Sequence, residues 1–481
     1  MNRPEDLLVD PRTMSRPEDL LIDPRAINRP EDLLVDSRAM NRPEDLLVDS
    51  RTGVLTALEP QARPPGVPRF WTGWGAAVSD TRRFAGWTAD RHGFGAAIAD
   101  PARARGAALG EAVERYCGNA IPGNLRVSSW RRLGEAALDP ETIPLYSLAQ
   151  YREPGFPFVP LTRDLEIAWT PATNLRTGAS VLVPASMAWL DYFHGPRAAE
   201  PATHSLFYSG IAAGPSRRRA EQAALEELFE RDATTIWWSS GADVETVSDP
   251  ERVTATLGGD GPSVRLLVIP SQFGVPVMAA FLEDEGIVSF GSACRSTPDG
   301  AAAKALAEAF GLYSLTLQLA DPDGEVWRAV AQGALAPHVF RPFRADRTYR
   351  DAFRLDYRDL TDLPAIAQLY LDPRMQGAPL DRLRAEPGPA LADLPSADPA
   401  TYVDRLAEAG LTAYSVDLTT SDIAAAGLSV VRVLVPGLVG NAPPAFPLRG
   451  GTRLYETPRL LGLTDRVLTE DDLFLHPLPL A

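Results

Sequence analysis

The chain has 481 residues, 45% of them hydrophobic, and carries a formal charge of −16 with a pI near 4.9. That is enough apolar material for one large core or two to three smaller ones. The acidic balance repels nucleic acid and anionic membrane surfaces, so neither is expected as a partner.

The chain opens on a 13-residue phrase written four times, "MNRPEDLLVDPRT" and three near-copies, over residues 1–52. Each copy has a helix-start signal, Asn or Ser, Arg, Pro, then two acids. The apolar run after each signal is too short for an independent helix, since segments under roughly 12 residues are marginal in water. Residues 1–52 are therefore expected to be poorly ordered, with the globular part over 53–481 after a link containing Pro60, Pro64, Pro65 and Pro68.

Three long helices are expected, at 101–119, 215–239 and 298–319, each opened by a proline and carrying an alanine-rich apolar stripe. Short β-like runs fall at 180–184, 265–269, 275–282, 286–290, 413–416 and 429–435. Helices and strands mix without a regular βαβ alternation, which predicts an α+β class. The segment 335–404, rich in Arg, Asp and Pro, is expected to be a surface excursion. The longest apolar run, 266–282, is broken by Pro270, Gly274 and Pro276, so it is no membrane span. No basic n-region and apolar h-region begin the chain. The two distant cysteines, Cys117 and Cys294, give no zinc pattern and suit a reducing cytoplasm. The five histidines, His92, His194, His204, His338 and His476, fall in no catalytic or metal motif.

Chemistry concentrates on the first two long helices. Glu111 and Glu114, then Glu227 and Glu230, stand three apart in E-x-x-E-R, hence on one helical face. An arginine follows each pair and is expected to turn away from it. Two such helices side by side would offer an oxygen-rich cluster suited to Mg²⁺. The competing reading of either pair alone is a solvated acidic face. The alanine-rich setting, with Tyr116 and Cys117 beside one pair and Trp237 and Trp238 beyond the other, favours burial.

In order and spacing, the blocks "ARARGAALGEAVERY", "GIAAGPSRRRAEQAALEELFERDA", "GSACRSTPDGAAAKALAEAF" and "VVRVLVPGLVGNAPPAFP" resemble the YcaO family, over roughly Leu46 to Ala481. The resemblance is to its azoline-forming branch, which includes thiopeptide-type pathways. It implies a large YcaO-like α+β domain that binds ATP and Mg²⁺ and acts on a ribosomally made precursor peptide. A Cys, Ser or Thr of the substrate would attack the preceding amide, and phosphorylation of the hemiorthoamide oxygen would let it leave as the azoline forms. Carried over by position, Glu111, Glu114, Glu227 and Glu230 are expected to hold the metal. Arg231, Arg219 and Glu308 complete the nucleotide site. The resemblance further implies a leader-binding, ThiF-like partner and admits a homodimer. Azoline-forming members often end in alternating prolines that extend toward the active site; here Pro477 and Pro479 are present, and Ala481 stands where a third would fall.

Several positions depart from that pattern. A Gly-Lys-Gly is here Gly93, Phe94 and Gly95; a Gly-Asn step is Gly214 and Pro215; an acid is Arg219; a Gln-x-Arg ending is Gly311 to Tyr313. These departures keep two alternatives open: a non-catalytic scaffold subunit, or the same enzyme chemistry leading to a thioamide or amidine. In the repeat, only the last copy runs into the body as a family N-terminus would. The three earlier copies are expected to be dispensable.

Overall fold

The computed structural model describes residues 42–480 apart from 88, 258–260, 334 and 337; the first three repeat copies and Ala481 lie outside the described residues. The last copy forms helix α1 (Pro43–Leu47), with Leu47 only 2% exposed, Glu44 paired to Arg105 at 2.6 Å, and Asp49 closing the next turn through the N–H groups of Arg51 and Thr52.

The three long helices start and stop where their caps dictate. In α2 (Pro101–Asn119) the Asp100 carboxylate accepts from the Arg103 N–H. In α3 (Arg217–Ser240) Ser216 caps the Arg219 N–H, leaving Pro215 outside, and Gly241 ends the helix at φ 72°. In α4 (Pro298–Ala320) Thr297 caps Gly300.

Three antiparallel sheets surround these helices. The first is β1 (Leu55–Pro60), β2 (Trp71–Val78) and β3 (His92–Ile98), in that order. The second contains β4 (Arg126–Ser128), β5 (Ile167–Asn174), β6 (Ser180–Pro184), β7 (Ile211–Gly214), β11 (Tyr414–Asp417) and β12 (Ser429–Leu434). Its order is β4-β5-β11-β12-β7, with β6 also paired to β5. The third is β8 (Ser263–Ile269), β9 (Val277–Asp284) and β10 (Ile287–Cys294), with β9 central. Every residue of β10 is buried, which is why its sequence shows no alternation of apolar and polar side chains.

Glycines bring helix backbones directly onto strands. A Cβ on Gly95 would lie 2.2 Å from the Ala104 carbonyl oxygen of α2, and one on Gly291 would lie 2.4 Å from that of Ala305 in α4. Gly93 and Gly95 thus sit inside strand β3 as a packing device, not in a loop. The segment 335–404 also departs from expectation. Leu360, Ile366, Leu369, Tyr370, Leu380, Leu383 and Tyr402 are buried, so it is irregular chain laid over the core. Its short 3-10 turns carry no 3.6-residue or alternating period from which burial can be read.

Candidate functional site

Each of the four glutamates is tied to a different stretch of backbone or strand. Glu111 accepts from the Phe94 N–H of β3 at 2.9 Å, and Glu114 from the Ala213 N–H of β7 at 2.7 Å. Glu227 accepts from the Gly210 N–H, just before β7, at 3.2 Å, and Glu230 from the Ser292 hydroxyl of β10 at 2.7 Å. The site therefore lies where all three sheets meet α2 and α3, and residues far apart in the chain hold the carboxylates in place.

The two pairs act on one another. Burial pushes the Glu114 carboxyl up to about 8, and the charges of Glu111 and Glu227 add to that. Glu227 is likewise raised by burial, with Arg231 opposing. The arginines do not turn away as expected. Arg115 reaches back to Glu111 at 2.8 Å, and Arg231 lies 3.8 Å from Glu227 and 3.5 Å from Glu230. The reason is periodicity, because Glu and Arg four apart share a helix face. Burial works against the charge of Arg231, but Glu230, Glu227 and Glu308 outweigh it and hold its pKa above the usual value.

Glu308 joins this network from α4. Burial would raise its pKa, yet Lys304, Arg231 and Arg295 together hold it below the usual range. Arg219 is exposed at the start of α3, with its guanidinium on Gln222 at 3.0 Å. Pro477 is fixed by its carbonyl, which accepts from the Tyr370 hydroxyl, while the neighbouring His476 carbonyl accepts from the Trp238 indole at 2.6 Å. Leu478 and Leu480, on either side of Pro479, pack into the core that contains Phe229 and Trp237.

Two buried groups at the site escaped sequence reasoning. Glu226 accepts from Gln222 at 3.1 Å and Tyr402 at 3.2 Å, pairs with Arg295 at 3.4 Å, and is raised by burial. Beside Glu227 in the sequence it looks like one more surface acid, and only the packing of 402 and 295 marks it. Arg432 of β12 is 1% exposed and donates to the carbonyls of Met187, Phe207 and Tyr208. Burial pulls its pKa down to about 10, with Glu227 opposing. A cavity of about 70 Å³ lies beside it, bordered by Leu228 and Val433.

The departures at 94 and 311 are one feature in space. The Phe94 ring stacks on Trp71 at 6.1 Å between centroids, and a Cβ on Gly311 would come within 3.0 Å of it. Phe94 occupies the room that a side chain at 311 would need. Tyr313 points elsewhere, donating to Asp284 at 2.7 Å.

The donor set suits a divalent cation. Hard carboxylate oxygens are offered by two helices, and Glu114, raised chiefly by burial, also carries repulsion from Glu111 and Glu227 that a cation would relieve. Among the described residues no group of three or more acidic, His or Cys side chains is already gathered at metal-binding distance. Mg²⁺ commonly takes one or two carboxylates and completes its shell with phosphate and water.

A family model described as YcaO cyclodehydratase, ATP- and Mg²⁺-binding, matches residues 95–439, and the chain belongs to the YcaO family. Its fold is shared with solved heterocyclases. One, in complex with substrate and cofactor, is 21% identical with a TM-score of 0.66, over 92% of this chain and 58% of that one. The heterocyclase TruD is 21% identical with a TM-score of 0.54, over 79% and 51%. YcaO from Methanopyrus kandleri, bound with AMPPCP and Mg²⁺, is 20% identical with a TM-score of 0.50, over 82% and 91%. The chain thus spans little more than half the length of the first two. No curated protein matches the sequence. Among the described residues no helix is long and apolar enough to cross a membrane.

Proposed function

We propose that the chain is the ATP-dependent cyclodehydratase subunit of a peptide-modifying system, converting Cys, Ser or Thr of a ribosomally made precursor to azolines. The observation that carries this reading is the approach of Glu111 and Glu114 to Glu227 and Glu230, each pinned to backbone or strand, with Glu111 and Glu227 both repelling the Glu114 anion. These four would hold Mg²⁺. Bound Mg²⁺–ATP would supply the phosphoryl group that turns the oxygen of the attacked preceding amide into a leaving group. The chain's own part is positioning and electrostatics. Arg231 presents a guanidinium to phosphate oxygens while Glu308 orients it, and Arg219 adds positive charge at the start of α3.

A separate leader-binding protein of the ThiF-like kind would deliver the precursor, and the tail carrying Pro477 and Pro479 would border the peptide. The test is direct. Purified protein, precursor and partner should release phosphate in a Mg²⁺-dependent manner, with one water mass lost per azoline. Neither signal appearing would sink the reading.

A second reading, a scaffold subunit without turnover, is favoured by one observation: where the family pattern has a cation, Phe94 places an exposed aromatic ring against Trp71 and Gly311. Measurable binding of Mg²⁺–ATP at physiological concentration argues against it.

A further inference from the structure

Among 47 basic residues the chain contains a single lysine, Lys304. It lies on α4 in a run of buried alanines, Ala301, Ala302, Ala305 and Ala307, with its own side chain 23% exposed. It pairs with Glu308 one turn along. Glu308 also feels Arg231 and Arg295, and Arg231 is the cation shared by Glu227 and Glu230. One further turn along the same face, Gly311 meets the ring of Phe94, whose N–H holds Glu111. Lys304, Glu308 and Gly311 thus lie on one face of α4, linked through Arg231 to Glu227 and Glu230 and through Phe94 to Glu111.

We propose that Lys304 is a phosphate-contacting residue of this site, leaving Glu308 for the polyphosphate when a nucleotide enters. This rests on the nucleotide-site reading and adds a residue which that reading does not use. The two guanidiniums that also face Glu308 are each shared with other carboxylates. Arg295 is held by Glu226 at 3.4 Å and by the Cys294 carbonyl at 2.6 Å, and Arg231 spans two glutamates. An ammonium on a four-carbon stem is a compact charge with three rotatable donors, able to change partner where a guanidinium fork is held in place. Its departure does not strand a buried carboxylate, because Arg231 and Arg295 still face Glu308. With Phe94 on the β3 side, Lys304 is the one ammonium side chain available to the site.

A sole lysine makes the test clean. The full chain is acylated with a water-soluble succinimidyl ester, with and without Mg²⁺ and a non-hydrolysable ATP analogue, and peptide mapping separates the Lys304 adduct from the α-amine. Nucleotide at ten times its dissociation constant should slow acylation of Lys304 about tenfold and leave the α-amine rate unchanged. In calorimetry, Lys304→Met should weaken Mg²⁺–ATP binding about tenfold or more, the loss of a charge-assisted hydrogen bond, with Lys304→Arg between it and wild type. An ordinary helix pair four residues apart would show neither effect. If wild type binds Mg²⁺–ATP while Lys304 is acylated equally fast in both states and Lys304→Met binds as wild type does, the proposal is overturned and the nucleotide site stands. If wild type binds no nucleotide, the site reading fails and takes the proposal with it.

Discussion

Glu114→Gln should make the ligand-free protein more stable and the site less functional. The carboxyl titrates near 8 in the folded chain against its ordinary 4.5, chiefly because burial disfavours the anion. For an acid raised in this way the folded state holds the proton more tightly than the unfolded one. Stability is therefore fully present below about 4.5 and is lost as pH rises toward 8. The cost to folding is roughly 1 kcal/mol at pH 5 and roughly 3 kcal/mol at pH 7, from 1.36 kcal/mol for each tenfold change in protonation. Glutamine keeps the oxygen that accepts from the Ala213 N–H and removes the proton requirement. Urea unfolding at pH 5 and pH 7 should accordingly show the variant gaining most at the higher pH. The ligand response should move the other way. Mg²⁺–ATP at 100 times its dissociation constant should add about 2.7 kcal/mol to wild type and little to the variant. Stability–pH curves that run parallel for the two proteins, or a variant less stable than wild type at pH 7, would refute the assignment of Glu114 as a buried carboxylate awaiting a cation.

Gly311→Gln should destabilise by roughly 1–3 kcal/mol through overpacking against Phe94. Phe94→Ala in the same chain should recover most of that loss, and a double-mutant cycle with no coupling would separate the two departures. Arg382 donates to the carbonyls of Trp237, Trp238 and Ala242 at the C-terminal end of α3 and lies against Trp237, Trp238 and Phe474. Arg382→Met should cost roughly 2–4 kcal/mol in urea unfolding, since charged-donor bonds to buried carbonyls are lost. Deleting residues 1–39 should leave melting temperature and activity unchanged, because α1 of the last copy already occupies its place. In that truncated chain Leu47→Ala should cost roughly 2–5 kcal/mol, as Leu47 is buried among Leu55 and Val78; a melting curve matching the parent would show that α1 contributes no packing.

Local rules were enough for the long helices. Pro101 and Pro298 mark two of their starts, alanine stripes mark their inner faces, and α2 spans the expected residues; α3, expected from Pro215, instead begins at Arg217, behind its Ser216 cap. Strand β6 likewise falls at 180–184 as expected. The E-x-x-E-R spacing alone put each glutamate pair on one face, and it should also have brought Arg115 and Arg231 back onto those pairs. What the sequence could not decide was everything set by partners distant along the chain. Strands β2, β3 and β7 are rich in Gly and Ala, and are strands because α2 packs onto Gly93 and Gly95 and because β12 pairs with β7. The burial of 335–404 comes from the core it covers, not from any period within it. Glu226 and Arg432 are polar residues whose roles come from Tyr402, Arg295 and the carbonyls of 187, 207 and 208. Sequence determined which carboxylates share a helix face. Only the tertiary structure brought the two faces together, because a partly buried like-charged cluster is held by backbone N–H groups and strands that lie up to 99 residues away along the chain.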